Sequence, residues 1–275
     1  MTRQSKNLYL QIAGFIIKII FNRSDFFYKK ELIRNIKKHL KYFIVKDNQK
    51  SNFFIEFTSE ETYQCITREQ ELFFPFYKFR SNNYVRTYYF ISYIQFQILL
   101  KSVMDQLLNN NNGLHLHASA ALIKDKAYLF LAKSGGGKST MIKLLQKRYT
   151  ALADDSIYLK KESGKYYIYQ TPLIEKESWL IKTNKRYVFG GIFFLKKSKN
   201  FSSMKLSKEI CFEKLSNQLL TSKNKAKKIF NYCYILLRRP IIIIFFILEK
   251  TRENFKSISI NWFNQNRYIL YSTPI

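Results

Sequence analysis

The run Ala132, Lys133, Ser134, Gly135, Gly136, Gly137, Lys138, Ser139, Thr140 combines three glycines, a lysine and neighbouring hydroxyls in one short stretch. It fits the phosphate-loop pattern with Ala132 in the place of the first glycine. Consecutive glycines let successive backbone N–H groups turn inward and let phosphate oxygens approach the main chain. Lys138 would meet the β- and γ-phosphates as a mobile point charge, and the Ser139 hydroxyl would ligate the magnesium ion that bridges them. Residues Lys133 through Thr140 are thus the candidate nucleotide-binding set; Thr140 itself is expected at the helix packing or cap. Asp154 and Asp155 follow 16 and 17 residues beyond Lys138, close enough for the chain to return a carboxylate beside the metal. Two adjacent acids at a strand end point opposite ways, so one can hold magnesium while the other takes the proton of an attacking hydroxyl. The register that decides which does which is open, because a one-residue shift exchanges the faces. His115 and His117 lie two apart on an expected strand. A metal pair on one strand face is thinkable, but no third ligand is evident, and His117 has the better position beside the phosphates.

These residues need a strand before the loop and a helix after it, and the sequence supplies both. Leu114–Ile123 and Ala127–Leu131 read as a hairpin of strands around Lys124, Asp125 and Lys126, and a helical pattern through Met141, Leu144 and Leu145 follows the loop. A strand over Ala151–Ala153 ends at the aspartates. Further strands are expected at Tyr166–Tyr169, Gly191–Leu195 and Ile241–Leu248, with a Lys-rich helical stretch over Ser207–Leu220. Upstream, Leu8–Ile20 reads as two strands with a bend at Gly14, and short strands with charged turns continue to about Arg86, clearest at Asn52–Phe57 and Val85–Ile91. Ile94, Ile98, Leu99, Val103, Met104, Leu107 and Leu108 recur at helical intervals. The polar tract Asn109–Gly113 ends that helix and divides the chain into an N-terminal α+β region, 1–113, and a nucleotide-binding region, 114–275.

Together, His117-Ala118-Ser119, the AKSGGGKS run 15 residues after His117, and the ALADD segment resemble the C-terminal catalytic domain of HPr kinase/phosphorylase and its relatives. The resemblance covers about Leu114–Tyr158, with a fainter likeness at Gly190–Leu195. It implies an α/β fold, a P-loop HPr-kinase-like (PEP carboxykinase-like) mixed sheet with helices. It also implies a magnesium- and ATP-dependent kinase that phosphorylates a Ser/Thr hydroxyl of a protein or peptide. Carried over by position, Lys138 and Ser139 bind phosphate and magnesium, Asp155 assists the metal, Asp154 is the general base and His117 supports Asp154 electrostatically. The family's later metal-supporting glutamate and its basic phosphorolysis segment have no counterpart here. Glu175 and Glu177 are the nearest acids, so the likeness does not extend to phosphorylase activity. Residues before 113 look like the strand-rich leaders of shorter HPr-kinase-like proteins, some of which accompany peptide-modification clusters.

Composition narrows the alternatives. The chain has 275 residues and is 47% apolar, which supports a packed core. Its net charge is +28, of which +8 falls in residues 1–113 and +20 in the remainder. Lysines outnumber arginines 35 to 12 in a sequence rich in Asn, Ile, Phe and Tyr, so the charge reads as codon bias spread over a solvated surface. A basic nucleic-acid-binding protein is the non-enzymatic rival. Its concentrated support is Lys196–Lys228, which lacks the interleaved aromatics that stack on bases, so no specific nucleic acid is expected. A nucleotide-binding switch without transfer is the other rival, and Asp154 argues against it. An ABC-type ATPase would need a long insertion before the acidic strand, where 13 residues lie between Thr140 and Asp154. Cys65, Cys211 and Cys233 have no metal-ligand or CxxC spacing and fit a reducing cytoplasm. The run Pro240–Leu248 is too short to span a membrane, which takes about 20 residues, and residues 8–21 read as strands rather than a leader. A homo-oligomer is compatible with all of this.

Overall fold

The computed structural model describes residues 7–21, 27–46, 50–58, 66–68, 71–73, 75–175, 177–198, 203–220 and 242–248. Among the described residues it is a mixed α/β structure with two mixed sheets, a small two-stranded antiparallel sheet and four helices. The chain begins with the strands β1 (Leu8–Ile12) and β2 (Phe15–Phe21), paired antiparallel through Ala13 and Gly14 as the sequence suggests. Then come α1 (Phe27–His39), β3 (Ile44–Val45), β4 (Phe53–Thr58), the small pair β5 (Ile66–Arg68) and β6 (Glu71–Phe73), β7 (Tyr77–Ser81), β8 (Tyr84–Tyr88) and α2 (Tyr93–Asn110). Six of these strands form the first sheet, in the order β3-β1-β2-β4-β8-β7.

Helix α1 corrects the expectation of strands only before Arg86. Its lysines look like turn punctuation, yet Leu32, Ile36 and Leu40 recur every four residues and all three are buried, which is the helical period. Helix α2 begins at a capping box: Gln95 N–H donates to Ser92 Oγ at 3.2 Å and Ser92 N–H to Gln95 Oε1 at 2.8 Å. It buries Phe96, Leu99, Leu100, Val103, Met104, Leu107 and Leu108, whereas Ile94 and Ile98, expected on the same face, are exposed.

The second part continues with β9 (Gly113–Leu116), β10 (Ser119–Ile123), β11 (Lys126–Leu131), α3 (Lys138–Leu145), β12 (Thr150–Ala153), β13 (Ile157–Glu162) and β14 (Lys165–Gln170). It ends with β15 (Arg186–Ser198), β16 (Ser203–Lys205), α4 (Lys208–Ser216) and β17 (Ile242–Leu248). The sheet order is β12-β10-β11-β15-β14-β13-β9, with β17 beside β15 and β16 beside β17. The segment 114–123, expected as one strand, is two: β9 pairs with β13, while β10 pairs with β11 and β12. Strand β13 has no counterpart among the expected strands; it completes the hairpin with β14.

The two sheets share packing. Tyr158 of β13 and Tyr169 of β14 are buried in the same apolar cluster as Ile17, Phe57 and Leu99. Lys160 Nζ donates to Ala13 O at 3.0 Å, tying the second sheet to the first hairpin. Cys211 is buried, and burial pushes its thiol up to about 11; Cys65 and Cys233 lie outside the described residues, as do 199–202 and 221–228 of the Lys196–Lys228 stretch. Among the described residues no helix is long and apolar enough to cross a membrane.

Candidate functional site

The loop joins β11 to α3, strand before and helix after. Gly136 N–H donates to Lys133 O at 2.9 Å, and a Cβ on Gly136 would sit 2.6 Å from the Ala132 Cβ, so no larger residue fits this turn. Gly137 is the N-cap of α3 with φ 95°, a left-handed conformation that favours glycine, and it supplies no side-chain cap. The first N–H groups of α3 therefore have no capping side chain, and together with the helix dipole they suit an anion. Met141, Ile142 and Leu145 are buried under α3 and fix the helix on β10 and β12. Lys133, Ser134, Gly135 and Thr140 are exposed. Thr140 therefore takes no part in the expected helix packing.

Lys138 is buried, and its Nζ donates to Ala132 O at 3.0 Å. Burial lowers its pKa, against the pull of Asp155 and Asp154. Ser139 Oγ donates to Asp154 Oδ2 at 3.0 Å. Asp154 is 3% exposed, and its other oxygen, Oδ1, is buried with no hydrogen-bond partner. Burial raises the Asp154 pKa, the Ser139 hydrogen bond opposes the rise, and Glu177 and Asp155 add to it. A cation would relieve this cost by giving Oδ1 a partner. Magnesium asks for one or two protein oxygens and otherwise keeps water and phosphate ligands, so Ser139 and Asp154 are a sufficient protein share. Among the described residues no group of three or more His, Cys, Asp or Glu could hold a metal by itself.

Asp155 faces the other way. Its side chain is 55% exposed, and Oδ1 lies 3.5 Å from His117 Nε2. The expected pairing, Asp155 with Ser139 and Asp154 with His117, is thus exchanged: the buried aspartate meets the serine and the exposed one meets the histidine. His117 has its pKa lowered by burial and then by Lys138, with Asp155 and Asp154 opposing, so the imidazole is neutral at pH 7. His115 is elsewhere. Its ring is fully buried, Nδ1 is 2.9 Å from Asp105 Oδ1, and it sits edge-on to Tyr158. The structure does not bring the two histidines to one metal.

What holds the aspartates and His117 together is a gap in one ladder. Leu116 faces Ile157 and Ala120 faces Ala153, and both pairs belong to the same antiparallel register. Counting inward from either side sets His117 opposite Ser156, Ala118 opposite Asp155 and Ser119 opposite Asp154, yet none of these pairs forms. The backbone donors go elsewhere, as buried donors must. His117 N–H donates to Gln218 O at 2.7 Å, while Asp154 and Asp155 donate to Glu175 Oε2 at 3.3 and 2.9 Å. Glu175 is itself buried, which raises its pKa, and Lys182 Nζ lies 3.4 Å away; Lys182 also donates to the Thr171 and Leu173 carbonyls. Gln218, oriented with its amide nitrogen inward, donates to His117 O at 3.1 Å and Ala132 O at 3.2 Å. Glu175, Lys182 and Gln218 are the supporting residues that spacing did not expose, since they sit in irregular segments far along the chain.

A cleft of about 500 Å³ opens beside the loop, between the ends of β11 and β15 and helix α4. It includes Ala132, Lys133 and Gly136 but neither aspartate.

Neither a protein-family model nor a curated protein matches the chain. Among solved structures, the Hpr(Ser) kinase/phosphatase from Coxiella burnetii is similar over 34% of this chain and 77% of its own, at 15% identity and a TM-score of 0.26. That likeness is weak and partial.

Proposed function

We propose that this chain is an HPr-kinase-like phosphotransferase that binds Mg-ATP at residues 132–139 and passes the γ-phosphoryl group to a Ser/Thr hydroxyl of a protein or peptide. The observation that carries the reading is the Ser139 Oγ to Asp154 Oδ2 contact of 3.0 Å at the uncapped start of α3, with Asp154 Oδ1 buried and unpartnered. Bound magnesium would neutralise phosphate charge as the bond to the leaving oxygen breaks. Ser139 and Asp154 would hold the ion. Lys138 would leave the Ala132 carbonyl for the terminal phosphates, exchanging one oxygen partner for more strongly charged ones. Asp155, exposed and beside a neutral His117, would accept the acceptor's proton. The acceptor oxygen bonds to the γ-phosphorus, the bond to the β-phosphate oxygen breaks, and ADP leaves.

The test is calorimetry and labelled-phosphate transfer on the full chain. Lys138→Ala should weaken Mg-ATP strongly. Asp155→Asn should keep nucleotide affinity yet lower transfer by about 10² to 10⁴, the range for a positioned general base. Unchanged nucleotide affinity in a folded Lys138→Ala variant overturns the reading. Parental transfer in an Asp154→Asn, Asp155→Asn double variant overturns the assignment of both acids.

A further inference from the structure

The magnesium site proposed above accounts for one of two buried oxygens that stand without a partner at the same pair of strand ends. Ser119, the first residue of β10, is fully buried. Among the described residues its Oγ, like Asp154 Oδ1, has no hydrogen-bond partner. A hydroxyl both donates and accepts and can rotate to meet almost any neighbour, so an orphaned one inside a sheet is a cost that alanine would avoid. A group of this kind calls for a specific explanation.

The sheet decides which way Ser119 points. Ala118, Ala120 and Leu122 belong to one apolar cluster, while Ala121 and Ile123 pack with Met141, Ile142 and Leu145 of α3. Strand alternation therefore puts Ser119 on the α3 face. Its partner across the ladder in β11, Phe130, packs in the α3 cluster as well, as a directly opposed residue should. Asp154 is fixed on that face independently, because its Oδ2 accepts from Ser139 of α3 at 3.0 Å. Ala120 pairs with Ala153, which makes Ser119 and Asp154 the next residues on adjacent strands. The two orphaned oxygens thus share one face and one end of the β10–β12 pair, on the side covered by the helix that carries Lys138 and Ser139.

We propose that Ser119 is a further positioning residue of the magnesium site, its hydroxyl holding a water of the bound ion beside Asp154 Oδ1. This rests on the phosphotransferase reading above, which it deepens. Magnesium keeps several of its waters, so Ser139 and Asp154 leave those waters to be oriented by the groups around them. Removing an outer hydrogen-bond partner of this kind lowers metal affinity by about 10- to 100-fold. The hydroxyl therefore has two effects of opposite sign. Without the ion it is a buried group with no partner, and with the ion it strengthens binding.

The experiment uses the full chain and its Ser119→Ala variant, which loses one oxygen and gains no bulk. Magnesium affinity is measured by calorimetry at saturating β,γ-imido-ATP, nucleotide affinity is measured separately in EDTA, and urea midpoints are taken in EDTA without nucleotide. Ser119→Ala should weaken magnesium by about tenfold or more while holding the EDTA nucleotide affinity within about twofold. Its metal-free midpoint should equal or exceed the parent's, since an unsatisfied hydroxyl has been removed. Parental magnesium affinity in the variant overturns the proposal. So does an equal fall in nucleotide affinity in EDTA, which would assign the hydroxyl to the phosphate loop rather than to the ion. A lowered metal-free midpoint also overturns it, because the hydroxyl would then be a packing group of the sheet. Failure of the phosphotransferase reading would appear differently, as no labelled phosphate reaching a serine or threonine acceptor while the magnesium shift in Ser119→Ala stands.

Discussion

The two sheets differ in what they bury. Among the described residues, the most fully buried polar residues up to Gly113 are Thr58, Thr87 and Gln97, all neutral, while beyond it they are His115, Ser119, Lys138, Asp154, Ser156, Gln170 and Thr171, with the Glu175 and Lys182 side chains also largely covered. The first sheet is closed with aromatics. Phe57 stacks on Phe21 at 5.0 Å and packs against Tyr89 and Phe96, contacts that reward area and shape and ask for no charge. The second sheet and its helix α3 put a lysine, Lys138, and an aspartate, Asp154, under cover. Burial opposes the charge on both, so that arrangement lowers stability unless a ligand or partner supplies the missing interactions. One sheet is optimised for packing, and the other holds polar groups at a cost that the proposed function would explain.

The largest effect that would sharpen this contrast is in the first sheet. Phe57→Ala removes a fully buried ring, and such truncations cost about 3–5 kcal/mol. We expect a large drop in the urea midpoint, with nucleotide affinity of the still-folded protein retained. If the variant lost Mg-ATP binding while staying folded, the separation of a packing sheet from a working sheet would break.

A smaller effect is expected at the Glu175–Lys182 pair. Lys182 is buried beside Glu175, and the pair stands behind the backbone of both aspartates. Lys182→Met leaves Glu175 facing the two N–H donors without its cation, at about 1–3 kcal/mol, the range for a buried group losing its partner. Glu175 would then favour its protonated form further, since burial already raises its pKa and Lys182 is the largest opposing influence. A protonated Glu175 is a poorer acceptor for the Asp154 and Asp155 amides. We expect KM for Mg-ATP and kcat both to worsen in Lys182→Met, and Glu175→Gln to restore stability in that background without restoring kcat. A double variant with parental kcat would reduce the pair to a packing role.

Much of this arrangement is legible in the sequence because it is local. The loop, its flanking strand and helix, and the two aspartates follow from residue type and spacing alone. The division between Asp154 and Asp155 is not legible, because it depends on which face of a strand end is buried, and that is set by the gap opposite Ala118 and Ser119. The same gap splits 113–123 into β9 and β10, a break that leaves no mark in an apolar run with only short polar interruptions. Helix α1 was masked by lysines that read as turns although Leu32, Ile36 and Leu40 carry the period. Glu175 stands out in sequence merely as the nearest acid, and its partner Lys182 as one of many lysines, since only tertiary structure pairs them.

The smallest effect concerns His117, two residues from the fully buried His115 but half-exposed at the gap. Burial and Lys138 hold its pKa below the ordinary 6.5, against Asp155 and Asp154. The unfolded chain therefore takes up this proton more readily than the folded one. Stability is unaffected well above pH 6.5, falls as the pH drops through 6.5, and the loss is complete once the pH passes below the depressed folded value. His117→Asn removes the titration, so its urea midpoint relative to the parent should rise as the pH is lowered from about 7.5 to 5.5. Phe57→Ala, on the packing side of the comparison, should show a constant difference over the same interval. In transfer assays His117→Asn should lower the rate at neutral pH by less than about tenfold, because a half-exposed contact at 3.5 Å contributes little. The informative readout is the acid limb of the rate profile, which His117 should place below pH 6.5 and its removal should flatten. If midpoints of parent and His117→Asn ran parallel with pH, the imidazole would not be held neutral at the gap, and the polar character of the second sheet would end at Asp154 and Lys138.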